Sequence, residues 1–174
     1  MFMSFRIHSA VWLTGLLIAG CSSAPQIAEV GAIAPAFQLA QISPSEPTLN
    51  SDSLKGKPVV LNFWSTSCSV CLGEIEDLNR LQEEHGIRVI GIALDEDIDR
   101  VRELAAKKGI KYDVVMGSPE LFEQFDGYAI PHTVILTADQ TVQRMVVGRI
   151  EVDEILKMTA QPNSPVAGEL VSQK

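Results

Sequence analysis

Residues 59–74, with the sequence VVLNFWSTSCSVCLGE, place an apolar run, a polar turn and two cysteines in immediate succession. The run over residues 59–64 is rich in β-branched and aromatic side chains. An almost continuous apolar run of this length predicts a central strand covered on both faces. The polar turn at residues 65–67 then predicts a helix that begins near Ser69. The rest of the chain is organised around this strand, turn and helix.

Cys68 and Cys71 lie at the junction between the predicted strand and the predicted helix. A helix N-terminus carries unpaired N–H groups and about half a positive charge, which favour a thiolate over a thiol. We therefore expect Cys68 to be the nucleophile. Cys71 faces the same side of the helix and can form a disulfide with Cys68 or resolve a mixed disulfide formed there. A bridge closing so small a loop removes little chain entropy, which favours redox chemistry over a structural staple.

The first 20 residues have the features of a lipoprotein signal peptide. Arg6 and His8 make a weakly basic start, and the apolar run over residues 10–19 is too short to span a bilayer comfortably. The residues Ile-Ala-Gly before Cys21 resemble the bacterial lipobox, in which cleavage precedes a cysteine that is then lipidated. An uncleaved anchor helix is the alternative. Both interpretations place the domain outside the cytoplasm, in the bacterial cell envelope or periplasm and attached to the membrane.

The charge balance argues against a nucleic-acid partner. The chain has 14 basic and 22 acidic side chains, and residues 1–20 contribute one basic residue and no acidic one. The mature chain therefore carries 13 basic and 22 acidic residues, a net charge of −9. With Cys21 assigned to the lipid, the three cysteines leave a single pair, Cys68 and Cys71.

The length of 174 residues fits one domain. We expect a signal peptide at 1–20, a tether at 21–30, the domain at 31–160 and a disordered tail at 161–174. A loop rich in Ser and Pro extends to Ser53. Apolar patterns, caps and turns predict strands at 59–64, 88–93, 112–116, 133–136 and 142–147, and helices at 69–86, 97–109, 118–125 and 152–159. This order predicts an α/β fold with a central mixed β-sheet flanked by helices on both faces.

A C-x-x-C motif at the first strand-to-helix junction of such a unit indicates a thioredoxin-like redox motif. Residues 55–64 (KGKPVVLNFW), the C-x-x-C, Glu74, the upstream pattern Gly31…Ala34-Pro35…Phe37…Leu39 and the pair Ile130-Pro131 occur with it. As a set they resemble membrane-anchored thiol-disulfide oxidoreductases of the TlpA/ResA type, within the redoxin branch of the thioredoxin-like superfamily. The resemblance covers roughly residues 30–159 and implies a thioredoxin-like fold.

The resemblance also implies roles for individual residues. Cys68 matches the attacking cysteine and Cys71 the resolving one. Pro131 matches the cis-proline that lies against the disulfide and leaves the backbone of Ile130 free to pair with an extended substrate segment. Trp64 matches an aromatic residue that shields the active site, with a purely core role as the alternative.

Glu74 matches a carboxylate that tunes thiol titration or passes a proton. A buried carboxylate near thiols raises their pKa values, and its own pKa rises in turn. The alternative is an exposed glutamate in the first helical turn. Asn62 occupies the strand position where ordinary thioredoxins keep a buried acid, which supports the TlpA/ResA branch.

The implied activity is that of a protein-disulfide reductase with a membrane thiol electron donor and envelope protein clients, apocytochrome c among them. Its only redox group is the Cys68–Cys71 disulfide, with no cofactor and no metal. The dipeptide Ser69-Val70 departs from common patterns and leaves the reduction potential open. Two other functions stay open. In the first, Cys68, Cys71 and His132 supply the ligands of a Cu(I) or Zn site. In the second, the protein is a thiol peroxidase, because such enzymes have a Thr or Ser three residues before the nucleophile, as Ser65 is before Cys68. Leu61, however, stands where those enzymes have a proline.

Overall fold

The computed structural model describes residues 26–46 and 48–160. Two short strands precede a five-stranded sheet, in which helices connect the first four strands and the last two strands follow each other directly. The elements in chain order are β1 (Gln38–Ala40), β2 (Thr48–Asn50), a 3-10 turn (Ser51–Leu54), β3 (Val59–Trp64), α1 (Ser69–Gly73), α2 (Ile75–Glu83), β4 (Arg88–Ala93), α3 (Ile98–Lys108), β5 (Asp113–Met116), α4 (Pro119–Gln124), β6 (His132–Leu136), β7 (Val142–Val147) and α5 (Val152–Thr159).

The main sheet is mixed and has the strand order β5-β4-β3-β6-β7. Strands β3, β4 and β5 are parallel, whereas β6 and β7 are antiparallel to their neighbours. All six residues of β3 are buried. The predicted central strand covered on both faces and the predicted mixed sheet are therefore confirmed.

The pleat of β3 sends alternate side chains to the two faces of the sheet. Val60, Asn62 and Trp64 point to the face that also holds Cys71, which we call the disulfide face. Val59, Leu61 and Phe63 point to the opposite face, which we call the phenylalanine face. The latter is packed with side chains from the N-terminal segment and α4, including Ala28, Phe37, Leu49, Leu121 and Phe125.

Local capping signals explain where several helices begin and end. The Asp97 carboxylate accepts hydrogen bonds from the first N–H groups of α3, and Gly109 ends that helix with a left-handed φ of 65°. Ser118 caps α4, whose first residue is Pro119. These predicted boundaries are confirmed, as is α5 at Val152–Thr159.

Two local predictions were wrong. The segment predicted as a loop, from just after Leu39 to Ser53, contains β2, which pairs with β1, and most of the 3-10 turn, which is capped by the Asn50 side chain. The single helix predicted from Ser69 is interrupted at Glu74. There the N–H of Glu74 donates to the carbonyl of Cys71, 3.1 Å away, which tightens the turn to three residues and separates α1 from α2.

The segments predicted for targeting and for the tail are at the two ends of the chain. The predicted signal peptide, Cys21 and the predicted tail at 161–174 lie outside the described residues. In the described end of the predicted tether, Ala28 is buried and its N–H donates to the carbonyl of Gln124 at 2.6 Å. Packing of the domain thus already includes this residue. Across residues 26–46 and 48–160, no helix combines the length and apolar character needed to cross a membrane.

Candidate active site

The two cysteines lie where β3 passes into α1. Cys68 is the N-cap residue of α1, and its Sγ accepts a hydrogen bond from the N–H of Cys71 at 3.2 Å. The two residues form a disulfide with a Cα–Cα distance of 5.3 Å. The short turn after a buried strand therefore places the Cys68 sulfur within reach of an unpaired helix N–H, as the sequence predicts.

The two sulfurs differ in access to solvent. Cys68 is partly exposed, whereas Cys71 is only 2% exposed and packs into the core of the disulfide face. An incoming thiolate or disulfide therefore approaches Cys68 first. This asymmetry gives the two cysteines different chemical tasks.

The turn before Cys68 is held by a residue that sequence reasoning missed. The Asp95 carboxylate accepts hydrogen bonds from the N–H and the hydroxyl of Thr66, at 2.9 and 2.5 Å. Asp95 follows β4, which runs parallel to β3 with Ala93 beside Trp64. The signal available in the sequence was an acidic residue just past the end of the neighbouring predicted parallel strand.

The Ile130–Pro131 peptide bond is cis. Phe63 pairs with His132 across β3 and β6, so Pro131 lies one residue further along, next to the end of β3. The Pro131 carbonyl accepts a hydrogen bond from the N–H of Gly148 at 2.7 Å. No hydrogen bond to the N–H or carbonyl of Ile130 occurs within residues 26–46 and 48–160. This leaves the Ile130 backbone open for a partner strand.

Glu74 is 2% exposed and lies on the disulfide face. Its Oε1 accepts a hydrogen bond from the N–H of Ile150 at 3.2 Å, whereas its Oε2 has no partner among the described residues. Burial raises the pKa of Glu74 to about 7, against smaller lowering effects of the Ile150 N–H, the Arg149 charge and the Asn62 amide. The carboxyl group is therefore poised between its neutral and charged forms near neutral pH.

Trp64 and Asn62 line the same face. Trp64 is buried, and a Cβ added to Gly91 would lie 3.1 Å from its Nε1 and 2.9 Å from the Tyr112 ring. The indole thus packs over a glycine in the core. Asn62 is also buried, and its Nδ2 donates to Thr133 Oγ1 at 3.2 Å.

His132 lies on the phenylalanine face, on the other side of the sheet from Cys71. Its Nε2 donates to the carbonyl of Phe125 at 2.9 Å, and its ring packs against Phe63 and Phe122. The structure therefore does not bring His132 together with the cysteines. Within the part of the chain that the structure describes, no group of three or more His, Cys, Asp or Glu side chains is arranged to hold a metal ion. The hypothesis of a Cu(I) or Zn site is thus not supported by this geometry.

The geometry around Ser65 does not favour a peroxidase. The Ser65 hydroxyl hydrogen bonds with the Ser67 hydroxyl at 2.8 Å and accepts from the Ser67 N–H at 3.2 Å. Its hydrogen bonds are thus made within the turn, away from the Cys68 sulfur. Leu61, where those enzymes have a proline, is a core residue of β3.

Comparison with known proteins agrees with this arrangement. The sequence profile of the AhpC/TSA family matches residues 30–145. The chain is 30% identical to the thiol-disulfide oxidoreductase ResA of Oceanobacillus iheyensis over 141 residues, which cover 75% of this chain and 71% of ResA. It is also 30% identical to the thiol:disulfide interchange protein DsbE of Allochromatium vinosum over 120 residues, covering 68% of this chain and 66% of DsbE.

A solved structure of a thiol:disulfide interchange protein from Chlorobium tepidum superposes with a TM-score of 0.65 at 31% identity, covering 75% of this chain and 97% of that chain. The shared fold is the thioredoxin fold that the family resemblance implies, with the mixed sheet expected from the strand and helix order. By its sequence, its fold and its C-x-x-C disulfide, the chain belongs to the AhpC/TSA family and is a thiol-disulfide oxidoreductase of the DsbE and ResA type.

Proposed function

We propose that the protein is a lipid-anchored reductant of disulfides in proteins of the bacterial cell envelope. The observation that carries the proposal is the asymmetry of the cysteine pair. Cys68 Sγ is accessible and accepts the Cys71 N–H, while Cys71 is buried beside it. An accessible sulfur that receives a helix N–H is favoured as a thiolate and attacks first.

The reaction follows from these positions. The Cys68 thiolate attacks one sulfur of a client disulfide and forms a mixed disulfide, and the other client sulfur leaves as a thiolate that takes up a proton. The Cys71 thiol then loses its proton and attacks Cys68 Sγ. This step restores the Cys68–Cys71 disulfide and releases the second client thiolate. Two electrons pass from the cysteine pair to the client.

We assign Glu74 to the proton that Cys71 loses. With a pKa of about 7, the carboxylate can accept this proton near neutral pH and release it later. A carboxylate near the thiols also raises their pKa by like-charge repulsion, which disfavours the dithiolate relative to the disulfide. A pair that prefers the disulfide form gives up electrons readily, which supports the direction of a reductant.

Pro131 and Ile130 are proposed to receive the client. The open backbone of Ile130, beside the cis peptide and near the end of β3, can pair with an extended client segment. Trp64 is proposed to close the disulfide face behind the cysteines, because its buried indole occupies the end of β3. The active site needs no cofactor in this scheme.

The proposed lipid attachment, location, electron donor and client are argued from the sequence. The lipobox-like sequence at Cys21 supports lipid attachment and a location on the outer side of a membrane. The TlpA/ResA resemblance supports a membrane thiol carrier as electron donor and apocytochrome c as the first client to test. Loss of labelled fatty acid in a Cys21→Ser variant is expected, and label that persists contradicts the lipid assignment.

The experiment that tests direction is the equilibrium reduction potential of the Cys68–Cys71 pair in a glutathione or dithiothreitol buffer. A value near about −270 mV supports the reductant. A value near about −120 mV contradicts it and indicates an enzyme that introduces disulfides.

The experiment that tests the cysteine roles is trapping with single variants. Cys71→Ser is expected to accumulate mixed disulfides at Cys68, because the resolving thiol is missing. Cys68→Ser is expected to form none and to lose exchange activity. A fully active Cys68→Ser protein contradicts the assignment, and Cys21→Ser serves as the control for cysteine removal outside the pair.

A further inference from the structure

Residues 148–150, between β7 and α5, contact Pro131, Glu74 and helix α2. We call this segment the strap. The N–H of Gly148 donates to the carbonyl of Pro131 at 2.7 Å. The N–H of Ile150 donates to Glu74 Oε1 at 3.2 Å. Between them, Arg149 Nη2 contacts Asp77 Oδ2 of α2 at 2.7 Å.

The local conformation explains how three consecutive residues reach three partners. Gly148 has a φ of +92°, which side-chain-bearing residues rarely adopt. This turn after β7 directs the two backbone N–H groups toward Pro131 and Glu74, while the Arg149 side chain extends to α2. Arg149 is half-exposed and Asp77 is less so.

We propose that the strap connects the ionisation of Glu74 with the position of the cis-proline peptide, and that the paired side chains Arg149 and Asp77 tune this ionisation through their opposite charges. The inference rests on the proposed role of Glu74 in proton transfer and goes beyond it by naming the residues that tune and transmit its charge. Arg149 and Asp77 are positioning residues, since neither contacts the cysteines. Their effect reaches the client site through Ile150, Gly148 and Pro131.

The groups that face Glu74 come from each element packed around it. Arg149 of the strap favours its charged form, and Asp77 of α2 opposes it. Tyr112, just before β5, is neutral and its own pKa is raised, first by burial and then by the Glu74 charge. Asn62 of β3 and the disulfide at α1 carry no charge. Arg149 and Asp77 are therefore the fixed charges that set the balance, and they act in opposite directions.

The hydrogen bond from Ile150 gives this balance a mechanical consequence. A charged carboxylate accepts an N–H more strongly than a neutral carboxyl group does. When Glu74 loses its proton, the strap is held more firmly at Ile150. Because Gly148 is two residues away, the same change is felt at the Pro131 carbonyl, next to the Ile130 backbone where a client segment is proposed to dock.

The test is an NMR titration of the oxidised protein that follows the Glu74 side-chain carboxyl carbon. Arg149→Gln is expected to raise the midpoint by roughly half a pH unit, because a favourable charge is lost. Asp77→Asn is expected to lower it by a similar amount, because a like charge is lost. Arg144→Gln is the matched control, since it breaks a comparable exposed ion pair with Glu154 of α5. No change is expected there.

If the ion pair had only a structural role, its loss would shift the Glu74 midpoint in the same direction in both variants. Midpoints that shift together, or that stay at the wild-type value in both variants, overturn the proposal. Opposite shifts with an unchanged Arg144→Gln protein support it.

A second readout needs no variant in the ion pair. In the wild-type protein the amide signal of Gly148 is expected to titrate with the midpoint of Glu74, and in Glu74→Gln this inflection is expected to vanish. A Gly148 amide that shows no inflection there overturns the link to the cis-proline. The pH profile of disulfide exchange then separates the two proposals. If the Glu74 midpoints shift as expected but the pH profile of disulfide exchange does not shift with them, the proton-transfer role of Glu74 is contradicted and the proposal about the strap is retained.

Discussion

Each face of the sheet buries a titratable side chain in a closely matched setting. Glu74 on the disulfide face and His132 on the phenylalanine face are both 2% exposed. Each makes one hydrogen bond to the backbone, and each has one atom without a partner among the described residues, Oε2 and Nδ1. Burial disfavours the charged form of both groups. It therefore raises the pKa of Glu74 and lowers that of His132.

This difference decides what each group can do. The pKa of Glu74 is raised to about 7 on the face that also holds Cys71, which is why we propose this carboxyl group for proton exchange during thiol chemistry. Burial disfavours the charged form of His132, and the carbonyl of Phe125 requires a proton on Nε2. Its Nε2 donates a hydrogen bond that holds the end of α4 against the start of β6. The same desolvation thus produces a reactive group on one face and a structural group on the other.

The largest expected effect comes from adding a second acid to the disulfide face. Asn62→Asp places a buried carboxyl group near Glu74, and at pH 8 we expect the free energy of unfolding to fall by about 4 kcal/mol. The loss should be smaller at pH 5, where the pair retains protons. Urea denaturation at both pH values measures it. Asn50→Asp, at an exposed cap where aspartate is equally suitable, is the control. Equal losses at pH 5 and pH 8 would contradict the electrostatic explanation.

Removing the imidazole tests the structural role of the other face. His132→Ala leaves a cavity among Phe63, Phe122 and Phe125 and removes the donor to the Phe125 carbonyl. We expect the free energy of unfolding at pH 7.5 to fall by about 3 kcal/mol. The exposed His85→Ala is the matched control. A loss no greater than that of His85→Ala would mean that His132 is not a packing residue.

Neutralising Glu74 is expected to stabilise the protein at high pH. The unfolded carboxyl ionises near pH 4.5, whereas the folded one ionises near 7, so wild-type stability falls as the pH rises through this window. Glu74→Gln should therefore raise the free energy of unfolding by about 2 kcal/mol at pH 8 and change it little at pH 4. Exposed Glu76→Gln on α2 is the control. A destabilised Glu74→Gln protein at pH 8 would show that the carboxylate contributes favourable contacts that outweigh its desolvation.

The smallest expected effect is on the slope of the unfolding free energy against pH, because the contributions of Glu74 and His132 partly cancel in the wild-type protein. Unfolded His132 binds a proton below its ordinary pKa of 6.5, which lowers stability as the pH falls, because the folded pKa is depressed. Folded Glu74 binds a proton below about pH 7, which raises stability as the pH falls. As the pH falls below 6.5 the two contributions therefore oppose each other, and the net slope is smaller than either contribution alone.

Single variants should reveal each slope. In Glu74→Gln the stability is expected to decrease toward acid, and in His132→Gln it is expected to increase toward acid. Denaturant midpoints at half-unit intervals of pH measure both. Slopes that stay equal to the wild-type slope in both variants would contradict the opposing contributions.

Local patterns were sufficient for most of the secondary structure. The β3 run, the Asp97 cap with Gly109, and the Ser118-Pro119 start depend on neighbouring residues, so their boundaries could be predicted. The β1–β2 pair could not, because two three-residue strands form only by pairing with each other over the intervening loop. The break at Glu74 also depends on tertiary structure, since the buried carboxyl reaches Ile150 far along the chain.

Some features of the candidate site could likewise be predicted from local sequence, whereas others depend on the tertiary structure. The sequence by itself determined the strand-turn-helix unit and the C-x-x-C with Cys68 at a helix start, because spacing and capping are local properties. Only the tertiary structure decided that Cys71 is buried, that Glu74 meets Ile150 and that His132 points away from the cysteines. Which face a side chain takes depends on strand register, and a one-residue shift reverses it. Burial and the pKa values that follow from it therefore depend on chain segments distant in sequence.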